Sequence, residues 1–192
     1  MIIEYRDLSE DSLVGDLRTR WTRLCNQFTT DQDLVRVGFE DINQAYTGRG
    51  HHNRLHVLEM LELIDALSPA RSDKNTVDFA AFYHDYKYVP GASSNERESA
   101  EHAGLWLHRL GVPGNQVEGV KGLIVGTKEH LLEGLDEDLK QNFMVLSDAD
   151  MAILAAQRPR YVQYVEGIWQ EYREIFTPDE YRVGREDFLQ SV

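Results

Sequence analysis

Cysteine is nearly absent: Cys25 is the one cysteine in 192 residues, so no disulfide can close within the chain, and a reducing compartment is expected. Long apolar runs are missing too. The opening Met1-Ile-Ile-Glu-Tyr-Arg is broken by charge within four residues. No signal-peptide core stands there, no uncharged stretch reaches membrane-spanning length, and the chain is read as cytoplasmic. Positive charge is short, with 20 Lys and Arg against 33 Asp and Glu and a net charge of −13. That balance argues against duplex DNA or an anionic lipid surface as a main partner. Alternating strand patterns, Asn-Gly or Asp-Gly hairpins between apolar runs, internal repeats and Gly/Ser linkers are also lacking. What remains is 42% hydrophobic and 28% charged, the composition of a folded domain, and 192 residues suffice for one core.

The apolar residues that are present fall at helical spacing. Leu13, Leu17, Trp21, Leu24 and Phe28 form one stripe, Val35, Phe39, Ile42 and Tyr46 a second, and Val57, Met60, Leu61, Ile64 and Leu67 a third that stops at Ser68-Pro69. Thr76 to Tyr88 is apolar on nearly all sides, which predicts a central helix. Ser93-Ser94-Asn95-Glu96 reads as a capping box in which Glu96 reaches back to the backbone, and the helix it opens ends at Gly111-Val-Pro-Gly114. Val117 to Thr127, Leu139 to Leu146, and Tyr161 to Ile175 continue the pattern, and Thr177-Pro178-Asp179-Glu180 starts a last helix. The expected fold is all-α, one domain over residues 1–192.

Histidines and carboxylates carry the chemistry. His52 and His56, four apart at the expected start of the third helix, would project from one face about one turn apart, spacing suited to a shared metal. His84-Asp85 ends the most apolar helix, where burying an imidazole beside a carboxylate is costly unless a divalent cation compensates. Asp148 and Asp150 are two residues apart and so diverge by roughly 200° on a helix. One of them faces inward, and periodicity alone does not choose which.

In order, His56, His84-Asp85 and Asp148 spell H…HD…D, and the chain resembles the HD-domain superfamily of metal-dependent phosphohydrolases. His52-Asn53-Arg54-Leu55-His56 reads H-N-x-x-H, and His84 to Asn95 resembles the H-D-x-x-x-x-P-G-x-x-x-N stretch of cyclic-nucleotide phosphodiesterases. Thr127-Lys-Glu-His130 resembles their T…H region in shortened form. A closer resemblance is to the compact bacterial group of predicted metal-dependent HD phosphohydrolases. Its H-N-x-x-H, H-D-x-x-Y, N-E-x-x-S-A, T-x-x-H and D-A-D motifs stand at His52, His84, Asn95, Thr127 and Asp148. The resemblance spans residues 46–186, including Tyr181 to Arg185.

The resemblance implies an HD-type helical bundle whose divalent ion (Mn, Fe, Co, Ni, Zn or Mg) is held by His56, His84, Asp85 and Asp148. His52 becomes the general acid, and Asp85, counted also among the catalytic groups, can bridge to a second ion with His102 and His130 as extra ligands. Arg49, Asn95, Glu96, Thr127, His130 and Arg185 are the candidate substrate-binding residues, with Lys87 and Lys128 as weaker sources of positive charge. The expected partner is a small phosphorylated substrate, a nucleotide or related metabolite, hydrolysed at an ester or anhydride by metal-activated water. An HD-type iron-dependent oxygenase and a non-catalytic nucleotide- or metal-binding regulator are the alternatives.

Overall fold

In a computed structural model, which describes residues 8–67, 73–128 and 137–191, the described residues form α-helices joined by short turns, with no strand among them. In chain order they are α1 (Glu10–Cys25), α2 (Gln32–Ala45), α3 (Arg54–Leu67), α4 (Lys74–Tyr83), α5 (Asn95–Arg109), α6 (Gly114–Gly126), α7 (Glu137–Met151), α8 (Arg158–Tyr172) and α9 (Pro178–Ser191). A 3-10 turn over Ala152–Ala155 separates α7 from α8. The all-α expectation holds. No described helix is long and apolar enough to cross a membrane.

α4 is the central helix, as its composition predicts. Thr76, Val77, Phe79, Ala80, Ala81, Phe82 and Tyr83 are all buried, and α3, α5, α6 and α7 pack around it. Its small Ala80 and Ala81 let neighbours approach, while Phe79, Phe82 and Tyr83 form T-shaped ring contacts with Trp21 from α1. The Trp21 indole N–H donates to the Val35 carbonyl, so α2 is tied to the same aromatic cluster.

Local rules set several helix ends, and one expected cap fails. Ser9 accepts from the Ser12 amide and Asp31 from the Leu34 amide, each an N-cap. The Thr177/Glu180 capping box forms in both directions, as expected. The Ser93/Glu96 box does not form. α5 begins at Asn95, its N-cap Ser94 makes no side-chain cap bond, and the Asn95 amide brackets Val89 instead, donating to its carbonyl and accepting from its N–H. That bracket closes the turn around Gly91, whose φ of 80° suits glycine.

Candidate metal centre

Three helix ends meet at one point. Asn53 caps α3 by accepting the Leu55 amide, so the helix starts at Arg54 and His56 sits in its first turn, pointing inward. His52 therefore lies before the helix rather than on it, and the shared-face reading of His52 and His56 is corrected. α4 stops at Tyr83, and His84 caps it with its amide on the Ala80 carbonyl. Its ring Nδ1 lies 3.0 Å from the Ala81 carbonyl. A carbonyl only accepts, so that nitrogen carries hydrogen and Nε2 faces the site.

His56 Nε2 and His84 Nε2 are 3.2 Å apart, and Asp150 Oδ1 is 3.1 Å from the first and 3.9 Å from the second. This group can hold a metal ion. Asp85 flanks it, with Oδ2 2.9 Å from His84 Nε2 and 3.9 Å from His56 Nε2. Donor atoms bonded at about 2.1 Å to one ion lie about 3–4 Å from one another, which matches these separations. Both imidazoles are buried. The donor set fits a divalent cation: two nitrogens face each other beside two carboxylates, an arrangement that otherwise needs protons to hold it together. Burial opposes charge on His84, but Asp85 and Asp150 outweigh it and raise its pKa to about 9. Burial would raise Asp85, yet His84 and His52 pull it far below the ordinary carboxylate range.

The inward carboxylate of α7 is Asp150, and Asp148 is exposed. The ligand role expected of Asp148 is therefore corrected to Asp150, and the reason is helical phase. Asp150 follows the buried Phe143 and Leu146 at seven and four residues, on their face, whereas Asp148 falls five and two residues on, off it.

Glu171, on α8, was missed by the sequence reading and organises the second half of the site. One oxygen accepts the backbone amides of His51 and His52 at 2.8 and 3.0 Å, and the other lies 2.7 Å from His52 Nδ1. Its side chain is only 6% exposed. Burial would raise its pKa, but His52 and the two amides hold it below the usual carboxylate value. In return, Asp85 and Glu171 overcome the burial of His52 and raise the imidazole pKa. A signal was available: Glu171 follows the buried Tyr164, Gly167 and Ile168 at seven, four and three residues, a carboxylate on the core face of its helix. His51, equally unremarked, is buried between the His52, His56 and Tyr164 rings and kept neutral chiefly by that burial.

These groups open into a cavity of about 450 Å³. His52, His84, Asp85 and Asp150 line one part, and Tyr88, Tyr164, Tyr172, Phe176, Tyr181 and Phe188 give the rest an aromatic character. Of the candidate substrate-binding residues, Glu96, Thr127 and Arg185 line it. Arg185 donates to the Tyr164 hydroxyl and lies over the Tyr164 and Phe188 rings.

Arg49 and Asn95 have other work. The Arg49 guanidinium donates to the Asp85 and Tyr86 carbonyls at 2.6 and 2.9 Å, clamping the His84-Asp85 turn to the loop before α3. Arg49 thus braces the turn and is not among the residues that line the cavity. Asn95 closes its own loop, as described. Lys87 lies over Tyr86 and Lys128 donates to the Ser93 carbonyl, both outside the cavity. His102 stacks on Tyr86 at 3.8 Å and pairs with Asp41 at 2.7 Å, and it is not part of the His56–His84–Asp150 group. His130 lies outside the described residues.

No protein-family model matches the chain, and neither a curated protein nor a solved structure gives a significant match.

Proposed function

We propose that this protein is a metal-dependent phosphohydrolase of HD type, acting on a small phosphate ester or anhydride such as a nucleotide. One observation carries the reading: the buried His56–His84–Asp150 group opens into a molecule-sized cavity beside an imidazole held by Glu171. His56, His84, Asp150 and Asp85 would hold the ion. A bound divalent ion supplies a polarised phosphoryl oxygen and an acidified water.

The chain's own groups supply the rest. A carboxylate only accepts, so the Glu171 contact keeps hydrogen on His52 Nδ1 and leaves Nε2 to face a ligand. With its pKa raised by Asp85 and Glu171, His52 keeps its proton to higher pH than an ordinary imidazole and can give it to the departing oxygen, the task of a general acid. Arg185 adds a guanidinium to a cavity that also holds the carboxylates of Asp85, Glu96, Asp150 and Glu180. Aromatic side chains exclude water from the organic half of the substrate.

The test is phosphate or nucleoside release from nucleoside monophosphates, triphosphates, cyclic nucleotides and generic phosphodiesters. Each is run with Mn, Mg, Co or Ni, with Asp85→Ala as the blank. Turnover absent from the variant supports the reading and names the substrate class. Silence across the panel, from protein that binds metal, overturns it.

A further inference from the structure

Glu96 lines the cavity and has no part in the proposed hydrolysis. In the first turn of α5 its ordinary task would be the capping box, but that box does not form. No described residue donates to its Oε2, and this oxygen is buried. A buried carboxylate oxygen without a donor is costly, and an ionised carboxylate accepts hydrogen bonds without giving any. Among the described residues no partner is supplied, and the open cavity beside this oxygen can bring an N–H or O–H group of a ligand to it.

The surroundings narrow its chemistry. Glu96 shares the cavity with Tyr88, Tyr164, Tyr172 and Phe176, which favour a flat ring, and with Arg185, which favours an anion. A carboxylate has two oxygens side by side and so pairs best with two adjacent donors. Among nucleobase edges, guanine presents that pair, N1–H beside the 2-amino group. Adenine and cytosine place an acceptor next to their amino group, and uracil has a single N–H between two carbonyls.

We propose that Glu96 is a specificity residue that reads paired N–H donors on the ring of a phosphate ester, with a guanine-type edge as the preferred ligand. The phosphate half of this proposal rests on the phosphohydrolase reading; the ring half rests on Glu96 and the aromatic wall.

Guanosine 5′-monophosphate and inosine 5′-monophosphate differ only in the 2-amino group. Their dissociation constants are measured by calorimetry on the full-length His52→Ala chain with metal added, so that the result does not depend on turnover. A hydrogen bond to a charged group is worth about 1.5–3 kcal/mol, which converts to roughly 10- to 150-fold tighter binding of the guanosine compound. Adding Glu96→Gln, which keeps the size and removes the charge, is expected to bring the two affinities within about threefold. Equal affinities in the His52→Ala chain, binding of neither compound, or an unchanged preference after Glu96→Gln each overturn the proposal. Failure of the phosphohydrolase reading shows separately, as absent phosphate release from the wild-type chain while the guanosine preference persists.

Discussion

The central helices and the C-terminal pair hold opposite sides of one site by different physics. Around α4, the side chains that could hold a metal project from helix ends embedded in apolar packing, with Phe79, Ala80, Phe82, Tyr83, Leu123 and Leu146 almost wholly buried. Such packing is broad and non-directional, and it tolerates small errors in any one contact. α8, α9 and the turn between them instead leave Val162, Ile175, Phe176, Val183 and Leu189 exposed, and no described side chain of α9 is fully buried. Few named contacts position them. Arg160 and Glu59 form a bidentate buried pair at 2.7 Å, Glu171 holds the His51–His52 backbone, and Tyr181 packs on Trp169. The ligating half should therefore fail through its donors, and the C-terminal half through single polar contacts.

The largest expected effect belongs to the first half. Asp150→Ala removes a donor from the buried group and is expected to abolish stable metal binding and cost about 10³-fold or more in turnover, several kcal/mol of transition-state stabilisation. Asp148→Ala, at an exposed position, should stay within about twofold of wild type in both. Metal content by mass spectrometry alongside turnover checks the pair; loss of metal in the Asp148 variant would return the ligand role to it.

Next comes the hinge between the halves. Arg160→Ala leaves Glu59 buried and charged without its partner, which costs about 3–5 kcal/mol. Replacing both residues by Met should recover most of that, because the desolvation penalty leaves together with the pair. Denaturant unfolding of the three chains is the check. A single variant as stable as wild type would mean that the pair does not dock α8.

Glu171→Gln tests the C-terminal half as a positioning device. The charge on Glu171 helps keep the folded-state pKa of His52 above its ordinary value, so the acid form is full at low pH and is lost as pH rises through that raised value. Neutralising Glu171 lowers the His52 pKa, so the alkaline limb of the kcat profile should move to lower pH. Turnover at neutral pH should fall by about 10- to 100-fold. An unmoved limb would assign that ionisation to another group.

The same division explains what was legible beforehand. The helices and the central place of α4 were readable because a buried stripe repeats every turn, and His56, His84 and Asp85 were readable because polar groups interrupt such stripes. The choice of Asp150 over Asp148 needed the folded helix, which runs unbroken over Glu137–Met151 and so fixes Asp150 in phase with Phe143 and Leu146. The Glu171–His52 contact was not readable, since it joins residues 119 apart in sequence through a loop whose course no periodicity describes. Arg49 misled for a related reason: its charge suggested phosphate, while its partners are carbonyls that only the folded turn brings together.

The smallest and sharpest test concerns the crossing of the two halves. Gly167 sits inside α8, where alanine would ordinarily stabilise the helix by about 1 kcal/mol. Here a methyl group at Gly167 would stand 2.7 Å from the Gly50 carbonyl carbon and 2.9 Å from the His51 nitrogen, and one at Gly50 would meet the Gly167 oxygen at 2.2 Å. Both obstacles are backbone, so neither can rotate away. Gly167→Ala is therefore expected to reverse the propensity rule and destabilise the fold by about 1–3 kcal/mol. It should also push the His51–His52 loop off Glu171, which lies one turn further along the same helix face. Turnover should fall more than metal affinity does, because the candidate ligands come from α3, the turn that ends α4, and α7. A variant that melts higher than wild type with full turnover would show that the two backbones are not in contact, and that the C-terminal half has slack which its polar contacts do not suggest.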